Sequence, residues 1–285
     1  MMSRREFVTD AAAGVAAITL SQGAFAAKTI PPLGVQLYTV RRQLEKDLPG
    51  TLAAIRKIGY QTVETFGTPK GLSGAELRKT ISAAGLTAPC AHFNYDVFGA
   101  HFDFAKELGV ECMVCSMVPL AVAVSADGYK RIAEQYNAWG AQAKKLGLRF
   151  GFHNHDMEFI SYGGVTGQEI LLENTDPALV GWEMDCYWVA QAGFSPVEML
   201  EKHGSRIQSL HLKDRKPNVP VSFDTNANSA HFTEVGTGTL DWPAILRLAS
   251  QHPEIHLFVE QDETDRPPLE SLAISYANLK KLLAG

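Results

Sequence analysis

A single (β/α)8 barrel is the fold class that this 285-residue sequence predicts. Three observations lead to it. Short apolar runs alternate with amphipathic stretches, which signals strands joined by helical crossovers and hence a parallel sheet. Eight such units can be counted, the number that closes a barrel. The later runs end in side chains of metal-binding type, and the C-terminal strand ends of such a barrel carry its functional groups. An open doubly wound sheet is the competing fold, but no Gly-x-Gly-x-x-Gly follows the first run.

The units follow in order. Leu33–Leu37 is the first strand, and Asp47 and Pro49 open a helix with Leu52, Ile55 and Ile58 on one face, stopped by Gly59. Thr62–Glu64 is the second strand, followed by a helix through Leu77, Ile81 and Ala84 that stops at Gly85. Ala88–His92 is the third strand, with a short helix from Phe102 to Leu108. Cys112–Ser116 is the fourth, with a long helix from Tyr129 to Leu146. Arg149–His153 is the fifth, with a helix near Gln168–Leu172, and Val180–Asp185 is the sixth, with Pro196 in a first helical turn. Ile207–His211 is the seventh strand, and Asp241 caps a helix from Trp242 to Leu248. His256–Glu260 is the eighth, and Leu269–Leu283 the last helix. Residues 216–239 interrupt the rhythm as a long loop, a length that usually marks a lid or binding loop.

Residues 1–26 stand apart. Ser3-Arg4-Arg5-Glu6-Phe7, a short apolar run from Ala11 to Leu20 and Ala24-Phe25-Ala26 have the parts of an export signal with an A-x-A cleavage site. The S-R-R-x-F start resembles the twin-arginine type, which implies a periplasmic mature chain, residues 27–285, folded before export. No other run is long enough to span a membrane. A composition of 46% hydrophobic and 20% charged residues supplies an ordinary globular core. A net charge of -5 argues against nucleic acid as the main partner. Cys112 and Cys115 form a C-x-x-C, but they lie inside an apolar run without a second Cys/His pair, so they read as core residues on opposite faces of a strand.

The strand ends carry Gln36 and Tyr38, Glu64, His92, Ser116, His153 to Glu158, Asp185, His211 to Asp214, and Glu260 to Glu263. So many polar groups at one mouth are costly unless they are paired or bound to something. Asp185, His211 and Glu260 each follow apolar residues and are drawn inward. Two carboxylates and an imidazole with one further donor suit Mn²⁺, Mg²⁺, Co²⁺ or Zn²⁺.

Five motifs resemble the sugar phosphate isomerase/epimerase family of the xylose isomerase-like barrels. They are Gly34–Tyr38, His153-Asn154-His155-Asp156-Met157-Glu158-Phe159, Met184–Trp188, His211-Leu212-Lys213-Asp214 and Val259–Asp262. The resemblance runs from about Leu33 to Leu283 and implies a Glu-Asp-His-Glu metal site. Asp185, His211 and Glu260 match it residue by residue, and Glu158 is chosen as the first ligand over His153 or His155 because the family's metals favour oxygen. The implied chemistry is proton removal next to the carbonyl of a keto sugar through a metal-stabilised enediolate. Glu260 is the base, Glu158 acts opposite, His153, His155 and His92 shuttle protons or hold hydroxyls, and Lys213 stabilises negative charge. Gln36, Tyr38, Glu64, Trp188 and His231 are substrate-binding candidates. The same enolate could expel a leaving group, which makes a lyase or hydratase the alternative. A carbohydrate-binding protein without catalysis and an endonuclease IV-type enzyme are the readings from other classes. The expected partner is a small carbohydrate, unphosphorylated if the chain is periplasmic, and a homo-oligomer is left open.

Overall fold

The computed structural model describes residues 32–69 and 71–284. The export-signal segment lies outside the described residues. Among the described residues, eight parallel strands close into a barrel. We number them β1 (Leu33–Gln36), β2 (Thr62–Phe66), β3 (Thr87–Phe93), β4 (Cys112–Cys115), β5 (Arg149–His153), β6 (Val180–Asp185), β7 (Ile207–Leu212) and β8 (His256–Val259). Closure is made by β1 against β8, with Leu33 opposite Leu257 and Val35 opposite Val259. The predicted fold class is therefore the observed one.

The helices begin where capping chemistry places them. Ser73 with Glu76 and Thr166 with Glu169 form capping boxes at the starts of Gly74–Ala83 and Gly167–Asn174. Ser125 accepts from Gly128 N and opens the long helix Ala126–Lys145. Among the described residues no helix is long and apolar enough to cross a membrane.

Strand parity separates two interiors. Outward side chains such as Phe150, Phe152, Trp182 and Met184 join the main core between strands and helices. Inside the barrel, Cys90, Cys112, Val114 and Phe258 make a small apolar cluster. Gln208 crosses there above Gly151 and Gly181, where a Cβ at either glycine would collide with its amide. A register shift between β6 and β7 places Gln208 as an extra residue, so that Ser209 and His211 still point inward. Cys112 faces this lumen while Cys115 lies against Tyr136 in the outer layer, and all four cysteines are free and buried.

The structure adds elements that periodicity did not suggest. A helix at Cys186–Gln191 follows β6 directly, and Asp214–Arg215 pairs antiparallel with Phe232–Thr233 to fold the long loop back on the barrel. Residues 186–191 are almost uniformly buried, so no amphipathic stripe reveals them.

Candidate metal centre and its cavity

A cavity of about 810 Å³ opens at the C-terminal end of the strands. Gln36, Tyr38, His92, His153, His155, Trp188, Lys213 and Glu260 line it, as the sequence suggested for a binding mouth. Glu64, Asp185 and His211 lie just beneath, fully buried.

Asp185, His211 and Glu260 converge, with one donor atom from each lying within 4.8 Å of the others. Each is held by its neighbours. Asp185 caps the helix Cys186–Gln191, its Oδ1 accepting from Tyr187 N at 2.8 Å and Trp188 N at 3.1 Å. Asn154 Oδ1 accepts from Asp185 N at 3.0 Å and Trp182 Nε1 at 2.9 Å, tying β5 to β6 beneath the site. That leaves Asp185 Oδ2 turned inward. It accepts no hydrogen bond, although Lys213 Nζ stands 3.0 Å away as an ion-pair partner. His211 Nδ1 lies 3.0 Å from Glu260 Oε2 and 3.8 Å from Asp185 Oδ2.

Below this level is a second polar layer. Glu183, two residues before Asp185, points into the lumen from the same face of β6. Its Oε2 accepts from Ser209 Oγ at 2.6 Å, and its Oε1 meets His92 Nε2, His153 Nδ1 at 3.3 Å and His211 Nε2 at 3.1 Å. Sequence reasoning passed over Glu183 as part of a strand, yet the two-residue spacing to Asp185 was the signal. Asn154 lies within the motif His153–Phe159, and nothing local in the sequence signals its link to Asp185 and Trp182.

Glu64 belongs to this layer. Its Oε2 lies 2.7 Å from His211 Nε2 and accepts from Gln36 Nε2 at 2.9 Å. The expectation that it binds substrate is corrected to a supporting role, because it sits under His211 and does not line the cavity. When His211 offers its Nδ1 lone pair to a ligand, Nε2 carries the proton and donates a hydrogen bond to Glu64. Such outer partners of a metal-binding histidine fix its tautomer and are worth roughly 10–100-fold in metal affinity. Glu64→Gln is therefore expected to weaken divalent-ion binding by about that factor, read by titration calorimetry at constant pH.

The first ligand differs from expectation. Beyond His153 the chain turns through a 3-10 segment at Met157–Phe159, which carries Glu158 away from the mouth. Glu158 Oε2 accepts from His155 N at 2.9 Å, Oε1 has no partner, and its charge acts on Tyr129, Tyr136, Tyr162 and Cys115 in the outer layer. The assignment of Glu158 as ligand and as opposing acid or base is corrected. His153 is the β5 side chain that faces the group, with Nε2 3.9 Å from Asp185 Oδ2. Burial holds its imidazole down at about 4, leaving it neutral near pH 7. His231 does not line the cavity; Thr225 and Asn226 of the same loop do.

Burial pushes the Glu158 carboxyl up to about 8 from 4.5. Below pH 4.5 folded and unfolded chains both carry that proton. Between pH 4.5 and 8 the unfolded chain releases it first, so folding stability falls as pH rises through this window. Glu158→Gln keeps an acceptor for His155 N and removes the charge. Relative to wild type, the variant should gain on the order of 2–4 kcal/mol between pH 5 and pH 9, measured by urea unfolding with a chelator present.

The electrostatics suit a cation. Burial alone would lower the His211 and Lys213 values, but Glu183 and Glu260 raise the first, and Asp185, Asp262 and Glu260 the second. Burial would raise the Glu260 carboxyl, but Lys213 and His211 outweigh it and keep it ionised. Two carboxylates, one of them with an oxygen that accepts no hydrogen bond, and two imidazoles fit a divalent ion of the Mn²⁺, Co²⁺ or Zn²⁺ kind.

Known proteins share this framework. The family model described as Xylose isomerase-like TIM barrel matches residues 52–282. Inosose dehydratase from Clostridium perfringens (strain 13 / Type A) is 28% identical over 233 residues, which are 73% of this chain and 77% of that protein. A sugar phosphate isomerase/epimerase from Parabacteroides distasonis ATCC 8503 is 26% identical at a TM-score of 0.72, over 90% of this chain and 96% of that one. The IOLI protein, solved with a zinc atom, shares the fold at 16% identity and a TM-score of 0.67, over 88% of this chain and 98% of that one.

Proposed function

The chain belongs to the xylose isomerase-like TIM barrel family, and from that premise we propose that it is a metal-dependent isomerase or epimerase of an unphosphorylated keto sugar. The observation that carries this is the convergence of Asp185, His211 and Glu260 beneath a cavity large enough for a sugar. A divalent ion held by Asp185, His211, Glu260 and His153 would supply Lewis acidity toward a carbonyl. Glu260, ionised and facing the cavity, removes the proton beside that carbonyl. His155 faces the cavity three strands round the barrel with an Nδ1 that has no partner. Burial keeps it neutral, so it can return a proton or hold a hydroxyl. Trp188 lines the same space and carries a buried indole N–H without a hydrogen-bond partner.

The lining opposes a phosphate. Asp96, Glu260, Asp262 and Glu263 bring four carboxylates, while the two cations, Arg41 and Lys213, are engaged by Glu263 and by Asp185, Glu260 and Asp262. Export of the mature chain to the periplasm, supported by the twin-arginine pattern at Ser3–Phe7, fits such a substrate.

A lyase or hydratase is the second reading. Its support is the similarity to inosose dehydratase, and the same proton removal would then eliminate a neighbouring oxygen substituent. Incubation of the metal-loaded protein in D2O with ketoses, inososes and keto-glycosides tests both. Deuterium beside the carbonyl with the carbon skeleton intact is expected for isomerisation, and an unsaturated product marks elimination. Glu260→Gln should slow either by about 10²–10⁴-fold. If no substrate exchanges while the metal is bound, the non-catalytic carbohydrate-binding reading replaces both.

A further inference from the structure

Lys213 is seated on two of the side chains that would hold the cation of this centre. Its Nζ is 3.0 Å from Asp185 Oδ2 and 2.6 Å from Glu260 Oε2, two of the three converging ligands. A third carboxylate, Asp262, lies 3.2 Å away and is not one of the converging ligands. The rings of Trp188 and Phe232 flank the ammonium at 5.4 Å and 5.0 Å. An ammonium has three donors, and three carboxylates share it here.

We infer that Lys213 is a resident counter-cation of the metal centre, seated on Asp185 and Glu260 until a divalent ion enters and then retreating to Asp262. Two carboxylates this close and this buried repel each other unless a positive charge lies between them. Lys213 lies within 3.0 Å of both and supplies that charge, which keeps them drawn together. A divalent ion on the same two oxygens would take over their charge and repel the ammonium beside it. The flexible four-carbon stem allows a swing that a planar guanidinium would not follow. Asp262 is the partner that remains. Two consequences follow: metal loading is an exchange of cations, and Lys213 lowers the affinity of the site in return for keeping it assembled.

This inference rests on the metal-centre reading above and concerns binding alone. The test is Zn²⁺ affinity of the full chain, by calorimetry and by Trp fluorescence, for wild type, Lys213→Met, Asp262→Asn and the double variant, with circular dichroism confirming the fold. Lys213→Met should bind Zn²⁺ at least tenfold more tightly than wild type. Asp262→Asn should bind severalfold more weakly, and that loss should vanish in the double variant. Should Lys213→Met not fold without metal, Lys213→Arg decides, with an expected affinity loss of tenfold or more. Equal or weaker binding by a folded Lys213→Met, or an unchanged Lys213→Arg, overturns the exchange while leaving the metal centre intact. If neither wild type nor Lys213→Met takes up Zn²⁺, the metal-centre reading falls and this inference with it.

Discussion

Asp185→Asn is expected to abolish divalent-ion binding while leaving the barrel folded. The amide keeps an oxygen for Tyr187 N and Trp188 N, so the cap on the helix Cys186–Gln191 survives. It loses the negative charge at Oδ2, the atom turned to the ligand group. Wild-type protein at a metal concentration of about 100 times Kd should gain about 2.7 kcal/mol of stability from binding. For a domain of this size that is a rise in melting temperature of roughly 5–11 °C. Asp185→Asn should show none of it, and its affinity loss should exceed the ~10–100-fold of Glu64→Gln, because a ligand outranks the group that orients one. Asp185→Ala adds a lost cap of about 1 kcal/mol, visible without metal. A wild-type melting curve that ignores Mn²⁺, Co²⁺ and Zn²⁺ alike would remove the centre on which the proposed chemistry depends.

The degree to which this centre could be read from sequence varies with the kind of contact. The barrel strands were legible because each apolar run is short, bounded by turn residues and followed by a helical period. Asp185, His211 and Glu260 were legible for the same reason, since a polar residue at the end of an apolar strand has only the mouth to face. Glu158 was not, because its position depends on a 3-10 turn whose backbone carries no periodic signal. Glu183 was readable from parity with Asp185 but hidden by the expectation that the middle of a strand is structural. The support from Glu64 could not be seen, because it spans 147 residues to His211. Pairing across the lumen is set by closure of the barrel, which no local pattern encodes.

The same limit hid Asp214, whose replacement should have the largest effect on stability. In the sequence it is only the end of the motif His211–Asp214. In the structure it is fully buried, and its carboxylate gathers the loop that follows β7. Oδ2 accepts from Gly236 N at 2.9 Å, Gly238 N at 3.0 Å and Trp242 Nε1 at 2.7 Å. Oδ1 accepts from Arg215 N at 2.8 Å, Thr239 N at 3.1 Å and Leu240 N at 3.3 Å. Gly238 must be glycine here, because a Cβ would strike both the Asp214 carboxylate and the Arg215 carbonyl. Truncation to alanine leaves these buried donors without an acceptor, at about 1–3 kcal/mol each if water cannot replace it. The loop would shift before the full sum was reached, so Asp214→Ala should lower the unfolding free energy by about 3–5 kcal/mol. Asp214→Asn should be nearly as damaging, since its NH2 group turns one acceptor into a donor facing other donors. The loop carries Thr225 and Asn226 to the cavity, and Thr225 Oγ1 and Asn228 Nδ2 fasten it to Asp156 at the far side of the mouth. Loss of the Asp214 anchor should therefore raise KM for any sugar substrate in variants that still fold, with metal affinity little changed. Urea unfolding and metal titration on the same preparation separate the two effects. Near-wild-type unfolding of Asp214→Ala would mean that water satisfies these donors and that the loop is held chiefly by its packing.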